Sequence, residues 1–218
     1  VMKGRIIIFV IVLILIVGNS LYHGSLLAKI CAKGSPGLIK LVFNLGVNVN
    51  AKIKKGMTPL MFAAYSNDAE IIENLIKQGA KVNERDDEGW TPLMTAAAYN
   101  NNPEVAEMLI KYGADVNARM PGGFTALIYA AESTDNIEVI DVLIQNGAQV
   151  NRGDDTGWTP LLWAARYNKN PEVVIRILQY GADPQARNSY GWRAVDLIEE
   201  NEYLKGTDIH YTLQELSY

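Results

Sequence analysis

Apolar and polar positions along this chain change rhythm twice in every 33 or 34 residues. Leu93, Ala96 and Ala97 fall on one face of a short helix with small side chains, close enough for a neighbouring helix to approach. Asn100-Asn101-Asn102 breaks that helix, and Val105, Met108 and Leu109 then form the buried stripe of a second. Thr91 is placed to cap the first helix, with Pro92 at its first position; Asn102 is placed to cap the second, followed by Pro103. Glu104 complements the dipole of the second helix. Lys111-Tyr112-Gly113 ends it, the glycine serving as a left-handed C-cap. Ala114-Asp115-Val116-Asn117-Ala118 is expected to run extended into the next turn.

The phrase recurs in register. Gly56-Met57-Thr58-Pro59-Leu60, Gly89-Trp90-Thr91-Pro92-Leu93, Gly123-Phe124-Thr125-Ala126-Leu127 and Gly157-Trp158-Thr159-Pro160-Leu161 place their threonines 33, 34 and 34 residues apart. A further step reaches Arg193 in Gly191-Trp192-Arg193-Ala194. The C-cap glycine recurs as Gly46, Gly79, Gly147 and Gly181. This regularity predicts an all-α repeat solenoid of helix-turn-helix units joined by short β-hairpin-like linkers, each unit touching its neighbours. Full repeats are expected at about 58–90, 91–124, 125–158 and 159–192, between caps at about 24–57 and 193–218.

The first residues follow a different rule. Lys3 and Arg5 precede an apolar run from Ile6 to Val17, and Gly18-Asn19-Ser20 follows. That order predicts a signal peptide over 1–20, with the repeat domain over 21–218 exported to a periplasmic or secreted location. A helix over the apolar run would cover ~18 Å, short of the ~30 Å hydrocarbon core. The alternative is an uncleaved anchor at 6–17 that tethers the stack to the inner membrane.

Composition narrows the chemistry. With 49% apolar residues in 218, a sizeable core is available. Twenty basic residues against 24 acidic ones, with no basic stripe, argue against nucleic acid. Cys31 is the single cysteine, so no intrachain disulfide can form. His23 and His210 lie at opposite ends of the chain, neither with a partner at metal or triad spacing. The glycines keep the repeat period and form no phosphate loop. Asp86-Asp87-Glu88 and Asp154-Asp155 read as solvated turns rather than a calcium site, because Met120-Pro121-Gly122 and Ile53-Lys54-Lys55 carry no acid. No catalytic residue, metal or cofactor is expected.

The Thr-Pro-Leu helix start, the paired alanines and the Gly-Ala-Asp-Val-Asn linker resemble the ankyrin repeat, over roughly residues 24–200. The likeness is strongest to bacterial members with Asn-Pro-Glu-Val between the helices. It departs in one respect: where the family usually has a histidine after Thr-Pro-Leu, this chain has Met61, Met94, Ile128 and Leu162. The resemblance implies a module that binds another protein through its concave side, the hairpin tips and the exposed face of the first helices. The tip positions hold Met57, Trp90, Phe124, Trp158 and Trp192. Phe62, Tyr129 and Trp163 form a second row, flanked by Tyr65, Tyr99, Arg166 and Tyr167. Aromatic rings and arginine are frequent hot spots of interfaces. Two readings of the tip row stand at this level: a surface for a partner protein (a second copy of the chain included), or rings that shield the turn of their own repeat.

Overall fold

The computed structural model describes residues 28–34, 36–44, 46–66 and 69–217. The signal-peptide or anchor expectation at 1–20, His23 and the start of the first cap lie outside them.

Each threonine phrase folds by the same local rule. Thr58, Thr91, Thr125 and Thr159 are extended, and the Oγ of each accepts the N–H of the residue three further on. The inner helices that follow are Pro59–Tyr65, Pro92–Tyr99, Ala126–Ser133 and Pro160–Tyr167. Asn102, Asn136 and Asn170 then cap the outer helices Pro103–Lys111, Ile137–Gln145 and Pro171–Gln179, each accepting from the N–H of Glu104, Glu138 or Glu172. Ala69–Lys77 is the outer helix of the preceding unit. Left-handed Gly79, Gly113, Gly147 and Gly181, with φ of 84–92°, end the outer helices.

Inner helices pack on inner helices, outer on outer, and the two of each unit on each other, so the core is a strip between two layers. Leu60, Leu93, Leu127 and Leu161 occupy one equivalent position and are almost fully buried. Each such side chain contributes about 2 kcal/mol by leaving water. Met61, Met94, Ile128 and Leu162, in place of the family histidine, are fully buried too. Packing has replaced a polar contact there, as the sequence suggests. Residues 28–33 and the helix Pro36–Asn44 flank one end, where Cys31 is buried and burial pushes its thiol up to about 12. Ala194–Ile198 and Asp208–Glu215 close the other, burying Leu204, Ile209 and Leu213.

The linkers differ in detail from expectation. No strand occurs among the described residues; each tip closes as a tight hairpin turn. The N–H groups of Ile53, Asp86, Met120, Asp154 and Asn188 donate to the carbonyls of Met57, Trp90, Phe124, Trp158 and Trp192. The stretch 114–118 is not extended throughout, because the Ala118 N–H turns back to the Asp115 carbonyl at 3.2 Å. Asn117 in that turn reaches the next unit: its Nδ2 donates to the Gly147 carbonyl and its Oδ1 accepts from Gln149 N–H. Asn50, Asn83 and Asn151 repeat this bridge.

A second polar ladder is buried at the ends of the inner helices. Asn168 Nδ2 donates to the carbonyls of Ala131 and Thr134, and Asn201 Nδ2 to those of Ala165 and Asn168. Asn100 does the same to Ala64 and Ser66. The hairpins also bond tip to tip, through Asp87 N–H to Lys55, Asp155 N–H to Gly122 and Ser189 N–H to Thr156. At the remaining step the equivalent residue is Pro121, which has no N–H to give, and its ring packs against Gly89 instead.

Candidate functional site

The hairpin tips and inner helices bring their aromatic rings into one continuous strip. Tyr65 lies 5.2 Å from Tyr99 between ring centroids, Tyr99 lies 5.8 Å from Trp90, and Trp90 stacks on Tyr129 at 4.3 Å. Tyr129 continues to Phe124 at 5.6 Å, Phe124 to Trp163 at 5.5 Å, and Trp163 to Trp158 and Tyr167. These separations are those of attractive aromatic pairs. Trp90, Phe124 and Trp158 of the tip row and Tyr129 and Trp163 of the helix row are therefore one structure, with rings alternating between the rows.

Position in the strip separates the candidates. Trp158 is only 9% exposed and packs on Trp163 and Tyr167, so its ring belongs to the wall rather than to the free surface. Its hairpin is pinned by Asp154, whose buried Oδ1 accepts from the N–H groups of Thr156 and Trp158 while Oδ2 accepts from Trp163 Nε1. Met57, Trp90 and Phe124 are half-buried. Tyr99 and Tyr167 are 57% and 48% exposed, Tyr99 resting on Tyr65 and Trp90 and Tyr167 on Trp158 and Trp163, with the Arg166 guanidinium 5.5 Å from its ring. Trp192 is exposed but lies apart, its one ring contact among the described residues being Tyr190. Arg166 is not a free cation: it pairs with Glu200 at 2.8 Å and donates to the Glu200 carbonyl, tying the last full repeat to the cap.

The acidic tips are turn closures. Asp86 Oδ1 accepts from the N–H groups of Glu88 and Trp90, as Asp154 and Asn188 do in their own hairpins. An asparagine in the third place shows that hydrogen bonding, not charge, is the requirement. Among the described residues no cluster of acids, histidines or cysteines could hold a metal ion.

One cleft opens along the strip. It has a volume of about 500 Å³ and is lined by Trp90, Tyr99, Tyr129, Tyr167, Glu132 and Ser133, with Asp135 and Lys169 at its margin. Burial pushes the Tyr129 phenol up to about 12, so that ring remains neutral, and its hydroxyl is 2.9 Å from Met120 Sδ. Burial also holds the Glu132 carboxyl above the usual carboxylate range. Sequence reasoning singled out Tyr99, Tyr129 and Tyr167 but not Glu132. Aligning the last residues of the inner helices finds it: counted from the capping threonines, Glu132 stands at the place of Ala98 and Arg166.

A family model described as ankyrin repeats (3 copies) matches residues 27–120 and 119–188. Over 59 residues, or 27% of its length, the chain is 37% identical to a protein of Acanthamoeba polyphaga mimivirus named for ankyrin repeats, L271. Over 62 residues, 28% of the chain, it is 37% identical to the glycerophosphocholine phosphodiesterase gde1 of Schizosaccharomyces pombe. These matches span 8% and 6% of the two curated relatives, so the likeness is to a small part of each. Among solved structures, a chain in the complex of the predatory endopeptidase Bd0816 from Bdellovibrio bacteriovorus with immunity protein Bd3460 superimposes with a TM-score of 0.73 at 28% identity. The match covers 87% of this chain and 96% of that one.

Proposed function

This chain belongs to the ankyrin repeat family, and from that premise we propose that it binds a partner protein through the aromatic face of its inner helices and hairpins, outside the cytoplasm and without catalysis of its own. Ankyrin repeats in general mediate contacts between proteins, and the structural relative comes from a complex of two proteins. The observation that carries the reading is the unbroken ring strip with Tyr99 and Tyr167 exposed along it. Rigid aromatic surface is what interfaces use for their strongest contacts. The charged start and apolar run at residues 3–17 support export. The related complex joins an endopeptidase to an immunity protein, which supports a partner enzyme, an endopeptidase in the first instance, held by this chain in the immunity-type role.

The test is affinity capture with crosslinking from the cell envelope, comparing wild type with a Tyr65→Ala, Tyr99→Ala, Tyr167→Ala triple variant. Capture is expected to fall at least about tenfold, since each lost ring contact costs on the order of 1 kcal/mol, while helix content is unchanged. Undiminished capture by the folded triple variant rejects this face. The runner-up reading, a membrane-tethered scaffold or accessory protein of an envelope complex, is separated by the mass of the mature chain: loss of about twenty residues excludes the tether.

A further inference from the structure

The cleft in the aromatic strip opens between two tyrosines. Eight residues after their capping threonines, the second and fourth repeats place Tyr99 and Tyr167 on the exposed face, whereas the first and third place Ser66 and Ser133. Ser133 Oγ is folded back onto the carbonyls of Ala98 and Tyr129 and leaves the space above it open. The gap is bounded by the Tyr99 and Tyr167 rings, with Trp90 and Tyr129 as the wall between them.

Its charge is as specific as its shape. Glu132 lines the gap half-buried, and among the described residues its carboxylate has neither a hydrogen-bond partner nor an ion pair. The Asp135 side chain, at the margin, is likewise unpaired among them. Lys169, the cation at the same margin, is turned over the Tyr203 ring, with Nζ 4.8 Å from its centroid. An unpaired carboxylate partly out of water, set among aromatic rings, is complementary to a cation that is itself flat and weakly hydrated.

We propose that this notch seats one arginine side chain of the partner protein, its guanidinium lying against the tyrosine and tryptophan rings and paired with Glu132. The proposal rests on the aromatic face being the partner surface and names the chemistry that the face selects. Arginine fits better than lysine because its planar fork can stack on a ring and bind a carboxylate with two N–H groups at once. Tyr99 and Tyr167, two repeats apart, set the width of the opening, so the register of the partner on the stack is fixed at the third repeat.

The test uses Nα-acetyl-arginine amide as probe, with the citrulline amide, its neutral isostere, as comparison, titrated into the full chain and followed by NMR at the Trp90 indole N–H. Saturable binding with a Kd of ~1–20 mM is expected for the arginine probe, about tenfold tighter than for citrulline. Glu132→Gln should erase the preference for arginine. Ser133→Tyr should erase binding of both, and the flanking repeats already carry tyrosine at that position, so the fold accommodates it. No saturation by the arginine probe, equal affinity for the two probes, or unchanged binding by Ser133→Tyr overturns the proposal. Envelope capture by the same variants separates it from the broader reading. If the Tyr65, Tyr99, Tyr167 triple variant loses the partner while Glu132→Gln and Ser133→Tyr keep it in full, the face stands and the arginine seat falls.

Discussion

At the scale of single residues, Glu132 and Asp154 show how one carboxylate becomes free chemistry and another becomes scaffold. Asp154 is saturated by backbone and indole donors, so it closes a hairpin and fixes Trp163. Among the described residues Glu132 has no such donors, and burial raises its carboxyl above the usual range. The folded chain therefore holds that proton more tightly than the unfolded one. The resulting stabilisation is complete below the unfolded value of about 4.3 and is lost as pH rises through the folded value. Glu132→Gln should accordingly raise the unfolding free energy measured in urea at pH 7, by less than about 1 kcal/mol because the site is half open to water. The gap between variant and wild type should close near pH 4. A variant less stable than wild type at pH 7 would show that the free carboxylate is not a cost to the fold. The capping threonines and asparagines, the C-cap glycines and the aromatic positions are all legible in the sequence, because each depends on neighbours within a few residues. Glu132 is visible only as the odd residue of an aligned column, because its meaning comes from Tyr99 and Tyr167, each in a different repeat.

At the scale of elements, the repeats are joined by more than apolar packing. Asn100 reads in the sequence as part of a polar break; in the structure it is a buried clamp onto carbonyls 34 and 36 residues earlier. No local pattern reveals a partner at that distance, although the period of the chain implies that some group must meet the helix ends of the previous unit. Asn168 makes the same clamp between the third and fourth repeats. Asn168→Ala would leave two buried carbonyls unpaired and should cost about 2–3 kcal/mol. In a stack held by nearest-neighbour terms the loss is local. Hydrogen exchange should speed up in Pro160–Tyr167 and beyond, and much less in 92–111. Uniform acceleration along the chain would mean that the array unfolds as one block. The exposed Asn146, whose side chain donates to the Val142 carbonyl of the helix it ends, is the control and should cost no more than about 0.5 kcal/mol as alanine.

At the scale of the whole molecule, the strip-like core has two ends that need covering. The helix Asp208–Glu215 does this at one end by burying Ile209 and Leu213 and by lodging His210, whose Nδ1 accepts the Gly206 N–H at 2.9 Å. A chain ending at Gly206 loses both apolar side chains and uncovers those beneath them. It should lose about 4 kcal/mol and associate through the opened end, which sedimentation at increasing concentration would detect. A monomeric truncated chain of unchanged stability would show that the preceding repeat closes itself. The period in the sequence predicts a cap at each end of the stack. How the final helix returns to cover Ala194–Ile198 does not, since Arg193 replaces the capping threonine and its N–H is received by Asp196 instead.

The missing amide at Pro121 gives this architecture a mechanical seam. Tip-to-tip bonds tie the first two hairpins together and link the third through fifth in a second series, and at the tips no backbone bond joins the two sets among the described residues. The arginine notch straddles that seam, with Trp90 on one side and Tyr129, Ser133 and Tyr167 on the other. A guest wedged there presses on two panels whose tips meet through ring packing and the reach of Arg85 to the Arg119 carbonyl. A partner seated there would thus bear on side-chain contacts at the tips rather than on a backbone ladder.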